Sequence, residues 1–218
     1  VRRLFNFAFC ILHFAFASCV STRVANESPI TPLTATSATD ALQQLNNRRA
    51  QLPGARSLMR VRAGQQSFKA QLRVQGDRME LTVYTPLNTS AATLYAEGDR
   101  VTFLNHLQTT VWQGNASELA GALGLFASTA KPSDLALLIL GFPATGGRYE
   151  ATTDGLTHAT LGSIEATFEP PSLPAKHVVV THGAQGIEFE QLDVAATDEP
   201  LRAPKIPRDY QQGGVPRV

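Results

Sequence analysis

The stretch "SFKAQLRVQGDRMELTV", residues 67–83, constrains the fold more than any other part of this chain. Phe68, Ala70, Leu72 and Val74 alternate with Ser67, Lys69, Gln71 and Arg73, and Met79, Leu81 and Val83 resume the pattern after "QGD". Successive side chains of a strand point to opposite faces, so a period of two sends one set inward and the other to water. A polar turn between two such runs predicts an antiparallel hairpin. The plan recurs in "AATLYAEGDRVTFLNH" and in "KHVVVTHGAQGIEFEQ". Hairpins with one apolar face must cover that face with something.

Two apolar segments between the hairpins supply the cover. "NASELAGALGLF" opens with Asn115 and has Glu118 three residues on, the spacing of a capping box. Leu119, Ala122, Leu123 and Phe126 then share one helical stripe. "PSDLALLILGFP" predicts a second short helix, with Leu135, Leu138 and Ile139 on one side and Gly141 and Pro143 as its stop. The fold class is mainly β with short helices (α+β), a curved sheet under a helical lid or plug. Pattern alone leaves two interiors open, a filled core or a ligand cavity.

The flanks read differently. Arg2 and Arg3 precede the apolar run "LFNFAFCILHFAFA", which is shorter than the ~20 residues a membrane-spanning helix needs. Its layout is that of a secretory signal peptide over residues 1–18. "FASCVSTR" places small residues directly before Cys19 and resembles the lipobox of bacterial lipoproteins. That resemblance implies that the Cys19 sulfur carries a diacylglyceryl anchor, with acylation of the new amino terminus as well. Several acyl chains hold a protein on a membrane where one alone binds reversibly. Residues 19–38, rich in Ser, Thr and Pro, are expected to form a flexible tether. "TDALQQLNNRRAQL" predicts a helix capped by Thr39 or Asp40, with Leu42, Leu45 and Leu52 as its apolar positions and Arg49 interrupting them. The folded domain is placed at residues 39–195. Residues 196–218, with four Pro and the pair Gly213-Gly214, are expected to be disordered.

Charge and motif content narrow the function classes. The whole chain has 19 basic and 18 acidic residues. Removing the signal takes away two arginines and no acids, leaving a charge near neutral. No basic field for nucleic acid results. The histidines at 13, 106, 158, 177 and 182 are scattered, and no zinc or nucleophile-elbow spacing occurs. His177, His182, Glu188 and Glu190 belong to the polar side of a hairpin. The expectation is a protein without a metal, a cofactor or enzymatic chemistry.

Taken in order, the lipobox, tether, helix, "DRMELTVYTPLN", "NASELAGALGLF", "DLALLILGFP" and "LPAKHVVVTHGAQGIEFE" resemble the LolB-type receptors of the LolA/LolB lipoprotein-localisation family. The similarity runs over most of residues 40–194. It implies an incomplete antiparallel β-barrel closed by helices around an apolar cavity for lipoprotein acyl chains. The cavity lining it implies is Phe68, Leu72, Met79, Leu81, Val83, Leu94, Val101, Phe103, Ile187 and Phe189, with Leu123 and Leu138 from the helices. The family's "NPLG"-like turn matches "TPLN", placing its outward, membrane-touching leucine at Leu87, with Asn88 where the family has Gly.

The function implied is that of an outer-membrane-anchored protein on the periplasmic face, acting as a monomer. It accepts acylated lipoproteins from a LolA-like periplasmic carrier, holds their acyl chains, and inserts them into outer-membrane lipid. Two alternatives remain from the residues: a carrier of another lipid or glycolipid of the cell envelope, and a structural or assembly lipoprotein with a filled core.

Overall fold

A computed structural model of the chain describes residues 26–123 and 130–215, with side chains described throughout except at 120–123. The signal segment, Cys19 and the Leu123 side chain lie outside what is described.

Twelve of thirteen strands run antiparallel in one sheet, and the thirteenth, β13, joins parallel to its neighbour. They are β1 (Glu27–Pro29), β2 (Ala55–Ala63), β3 (Gln66–Gln75), β4 (Arg78–Tyr84), β5 (Ser90–Glu97), β6 (Arg100–Asn105) and β7 (Thr110–Asn115). Then come β8 (Arg148–Ala151), β9 (Leu156–Leu161), β10 (Ile164–Phe168), β11 (His177–His182), β12 (Gln185–Thr197) and β13 (Gln211–Gln212). The spatial order is β13-β7-β6-β5-β4-β3-β2-β12-β11-β10-β9-β8, with β1 paired separately on β12. The edges at β8 and at β13 do not pair with each other, so the curled sheet is an incomplete antiparallel barrel. Among the described residues three helices accompany it: α1 (Ala38–Gln51), α2 (Ala116–Leu123) and α3 (Pro132–Ile139).

The three hairpins expected from alternation are β3–β4, β5–β6 and β11–β12. Their turns begin on Gly76, Gly98 and Gly183, each at positive φ, as do the β2–β3 and β9–β10 turns at Gly64 and Gly162. A two-residue hairpin turn favours a left-handed first residue because its twist matches the flanking strands, and glycine adopts that conformation without steric cost.

The helices pack on the inner face and one edge. Ser37, not Thr39 or Asp40, caps α1: its Oγ accepts from the Asp40 amide, and the Asp40 carboxylate accepts from the Thr36 amide. Ala41 and Leu45 are the buried residues of α1. Arg49, an interruption of the stripe in the sequence, has a structural use. Its guanidinium donates to Asp134 in the first turn of α3 (3.3 Å) and to Thr145 Oγ1 (2.9 Å). In α2, the Glu118 carboxylate accepts from the Asn115 amide, half of the capping box.

Both flanks depart from expectation. The tether is docked along its second half: β1 pairs with Pro29 opposite Ala195 on β12, Leu33 is buried, and Arg48 donates to the Thr31 and Pro32 carbonyls. The last segment has little regular structure, as its Pro content implies, yet it lies as a belt on the outer face of the sheet rather than free. Leu201 is buried, its amide donating to Gln75 Oε1 (2.8 Å), and Glu199 pairs with Arg73 (2.9 Å). Further along, Tyr210 meets His106 Nδ1 at 2.5 Å, and the Gln211 and Gly213 amides donate to the Thr109 and Val111 carbonyls. The reason is a second, small apolar layer. Tyr95, Leu104 and Val111 are buried although they point away from the main core, and bare apolar strand faces need a cover.

Candidate functional site: an apolar cavity under the helical lid

Between the inner sheet face and the helices lies a cavity of about 260 Å³. Met59 and Val61 (β2), Phe68 and Leu72 (β3), Met79, Leu81 and Val83 (β4), Leu94 (β5), Val101 (β6), and Ile187 and Phe189 (β12) form its sheet wall. Ala116, Leu119, Ala130, Pro132, Leu135, Ala136 and Ile139 form its helical wall. Every described lining residue is apolar. The strands contribute mostly long side chains and the described helical side several short ones.

The size decides how to regard it. Native interiors hold few voids larger than a water molecule, and an apolar void of ~150 Å³ already admits a benzene-sized guest. At ~24 cal/mol per Å³ for an enclosed void, a space of this size forgoes at most roughly 6 kcal/mol of stability, and less where it opens to solvent. That is a large share of the ~5–15 kcal/mol by which a domain is stable. The described lining side chains are hydrocarbon or thioether, a poor setting for ordered water. The chemistry suits a flexible hydrocarbon, at ~0.8 kcal/mol per buried methylene.

The lid is held by polar contacts at its ends, away from the void. At the N-terminal end of α3, the Asp134 carboxylate accepts from Arg49 and from the Thr145 amide. At its C-terminal end, Gln191 Nε2 donates to the Ile139 carbonyl (2.9 Å), and Gln191 Oε1 accepts from the buried Ser57 hydroxyl. Gly141 ends the helix at φ +90, where Ala175 N and Cβ lie 3.1 Å from the position a Cβ would take. This arrangement fixes α3 across β3, β4 and β5 with Leu135, Ala136 and Ile139 turned to the cavity.

The cavity opens toward one end of the barrel. Along β4, Met79 is buried while Leu81 and Val83 are half-buried; along β3, Leu72 is buried and Phe68 half-buried. Exposure therefore grows toward the end that carries the β2–β3 and β4–β5 turns. Leu87 sits at the tip of that second turn and is 85% exposed. Its geometry is a type I turn followed by one left-handed residue: the Asn88 amide donates to the Thr85 carbonyl (2.9 Å), and the Thr85 amide to the Thr89 carbonyl (2.8 Å). Asn88 takes φ +59, the conformation a glycine would adopt there and one that Asn tolerates better than most residues.

Nine of the sheet residues expected in the lining are in it: Phe68, Leu72, Met79, Leu81, Val83, Leu94, Val101, Ile187 and Phe189. Two expected residues are not. Phe103 is on the inward face, half-buried and paired with Leu94 and Trp112, but it is not among the residues that line the cavity. Leu138 is fully buried elsewhere, because Pro132, Leu135, Ala136 and Ile139 turn inward and Leu138 lies about 110° around the helix from the centre of that face. Met59 and Val61 add to the expected set. Their strand, "ARSLMRVRA", does alternate Ser57, Met59, Val61 and Ala63 with Arg60 and Arg62, and that alternation is the signal that marks it. His177, Glu188 and Glu190 lie outside the cavity in a ladder of exposed pairs with Arg60 and Arg62. Among the described residues no group of three or more His, Cys, Asp or Glu is placed to hold a metal.

No protein-family profile matches this chain, and no curated protein matches it in sequence. Solved structures share its outline. One is an uncharacterized conserved protein from Thermus thermophilus, with 8% identity and a TM-score of 0.43 over 78% of this chain and 97% of that one. A LolA superfamily protein from Nitrosomonas europaea has 8% identity and a TM-score of 0.45 over 76% and 96%. A DUF1329 family protein from Desulfovibrio piger has 11% identity and a TM-score of 0.47 over 77% and 96%. At such values likeness carries no functional information, and the chemistry of the cavity stands on its own residues.

Proposed function

We propose that this chain is a membrane-tethered receptor for acyl chains, of the LolB type, that accepts acylated lipoproteins from a periplasmic carrier and passes them to the outer membrane. One observation supports it above the others: a ligand-sized cavity, open at one end, whose described lining is apolar. A receptor that must release its cargo needs a lining that replaces the loss of hydrocarbon burial without exceeding what a bilayer offers. Unspecific, adaptable contacts from Met59, Met79 and aliphatic side chains meet that need. Cys19 serves as the acyl anchor, and Leu87 at the rim of the open end is the contact that turns the mouth toward the bilayer.

The lining does not choose among hydrocarbons, so a carrier of free lipid or glycolipid is the second reading. A labelled lipoprotein separates the two. Acceptance by the protein and onward transfer to liposomes are measured independently, for wild type and for Leu87→Glu. The receptor reading expects acceptance by both and slowed transfer by the variant. No acceptance by the wild type, with uptake of free fatty acid or phospholipid instead, gives the second reading.

A further inference from the structure

The two ends of the barrel differ in charge. Five hairpin turns lie at the end where the cavity opens, joining β2–β3, β4–β5, β6–β7, β9–β10 and β11–β12. Their turn residues are 64–65, 85–89, 106–109, 162–163 and 183–184, and not one is Asp, Glu, Lys or Arg. Four connections between neighbouring strands close the opposite end, and each contains an acidic residue: Asp77, Asp99, Asp154 and, in the longer β10–β11 link, Glu169. The same connecting elements, in the same sheet, thus carry charge at one end and none at the other.

The uncharged end also holds the two most exposed large apolar side chains among the described residues. They are Leu87, 85% exposed, and Leu107, 71% exposed, at the tip of the β6–β7 hairpin. Leu107 is held outward by its turn, since Asn105 Oδ1 accepts from the Leu107 and Gln108 amides and Thr109 takes φ +51. The two hairpins are neighbours in the sheet, and with strands ~4.8 Å apart their tips stand about 10 Å from each other. Scattered exposed leucines are ordinary. Two on adjacent tips, both presented by ordered turns at the mouth of an apolar cavity, form a surface.

We infer that this uncharged end is a phospholipid-contacting surface in which Leu107 enters the bilayer beside Leu87, so that two hairpins rather than one seat the cavity mouth on the membrane. The inference rests on the acyl-receptor reading for its purpose, and on charge and exposure for its occupant. A headgroup layer penetrated by hairpin tips must dehydrate whatever those tips carry, and burying an unpaired charge is costly. Amides, hydroxyls and apolar tips meet little such penalty. Lys69, whose ammonium reaches Asn88 Oδ1 at 3.5 Å, is long enough to keep its charge in the headgroup region. Two points of contact also set an orientation about the barrel axis, which a single leucine does not.

The test uses the full-length protein mixed with phosphatidylcholine vesicles whose acyl chains are brominated, which quench tryptophan. The native Trp112 is buried and supplies a common background. Leu87→Trp, Leu107→Trp and, at the opposite end, Asp99→Trp are compared. Quenching of the first two beyond background, with none for the third, is expected. Leu107→Glu is expected to weaken vesicle partition roughly tenfold while a fluorescent fatty acid still binds with wild-type affinity. Quenching at position 87 alone overturns the role of Leu107, and equal quenching at position 99 overturns the orientation. Absence of fatty-acid binding in the wild type removes the acyl-receptor reading and leaves the quenching result to stand by itself.

Discussion

Replacing Ala136 with Leu distinguishes a cavity from a packed core by the sign of its effect. Ala136 is 1% exposed, which by burial alone makes it a core residue, but it lines the void from α3. In a close-packed core three added carbons force neighbours off their rotamers and cost ~1–3 kcal/mol. In an empty apolar cavity the same carbons are buried without displacing anything. Three groups at ~0.8 kcal/mol each contribute about 2.4 kcal/mol, and ordering the longer side chain offsets ~0.5–1 of it. Leucine is nearly as good a helix former as alanine, so the backbone contributes little. The delipidated variant should therefore be about 1.5 kcal/mol more stable, raising Tm by roughly 3–6 °C for a domain of this size. The added side chain occupies space the ligand would use, and losing three methylenes of contact should weaken binding of a fluorescent fatty acid about 50-fold. Thermal melting and probe titration on the same preparation read both effects. A lowered Tm with unchanged probe binding would refute the cavity.

Three further outcomes are expected. Leu201→Ala should cost ~2–3 kcal/mol, because the side chain is fully covered, and should open residues 198–213 to limited proteolysis while fatty-acid binding is retained. Acidification should loosen the same belt through His106. Burial holds its pKa below the ordinary 6.5, so between its folded value and 6.5 the unfolded state binds more protons, and stability is lost as pH falls through that window. Denaturant midpoints between pH 7.5 and 5 check this, and His106→Gln should flatten the profile; an equally steep profile in that variant assigns the effect elsewhere. Cys19→Ser should abolish incorporation of labelled fatty acid and release the protein from the membrane fraction; label retained in the variant would exclude Cys19 as the anchor.

The hairpins are legible because period-two alternation is written into each strand locally, as in Phe68, Ala70, Leu72 and Val74. Their turns are legible because glycine is what a left-handed first turn residue requires. Short strands such as β8 and β10 carry too few residues for a period to stand out, and fully buried positions such as Ala159 and Ala166 add little hydrophobic signal. The belt escapes sequence reading for a different reason. Four prolines and two glycines do describe a segment without regular structure, but whether it is free or docked depends on partners over a hundred residues away, such as Gln75 and His106. A hint exists in "FLN" and "VW", where consecutive apolar residues on one strand mean that both faces are covered. The inward-facing residues of the site are readable, whereas the void itself is not. Alternation is the same for a core and a cavity, and the difference lies in how the helical segments, here with Ala116, Ala136 and Pro132 in the lining, pack over the sheet.

The most direct measurement is native mass spectrometry of the protein extracted from membranes under mild conditions, followed by release and identification of whatever is bound. The account predicts a fraction of molecules carrying one acylated guest, lost on delipidation and restored by an acylated peptide, with Ala136→Leu carrying less. A protein that comes through ligand-free, and that takes up neither acylated peptide nor fatty acid when offered them, would contradict it.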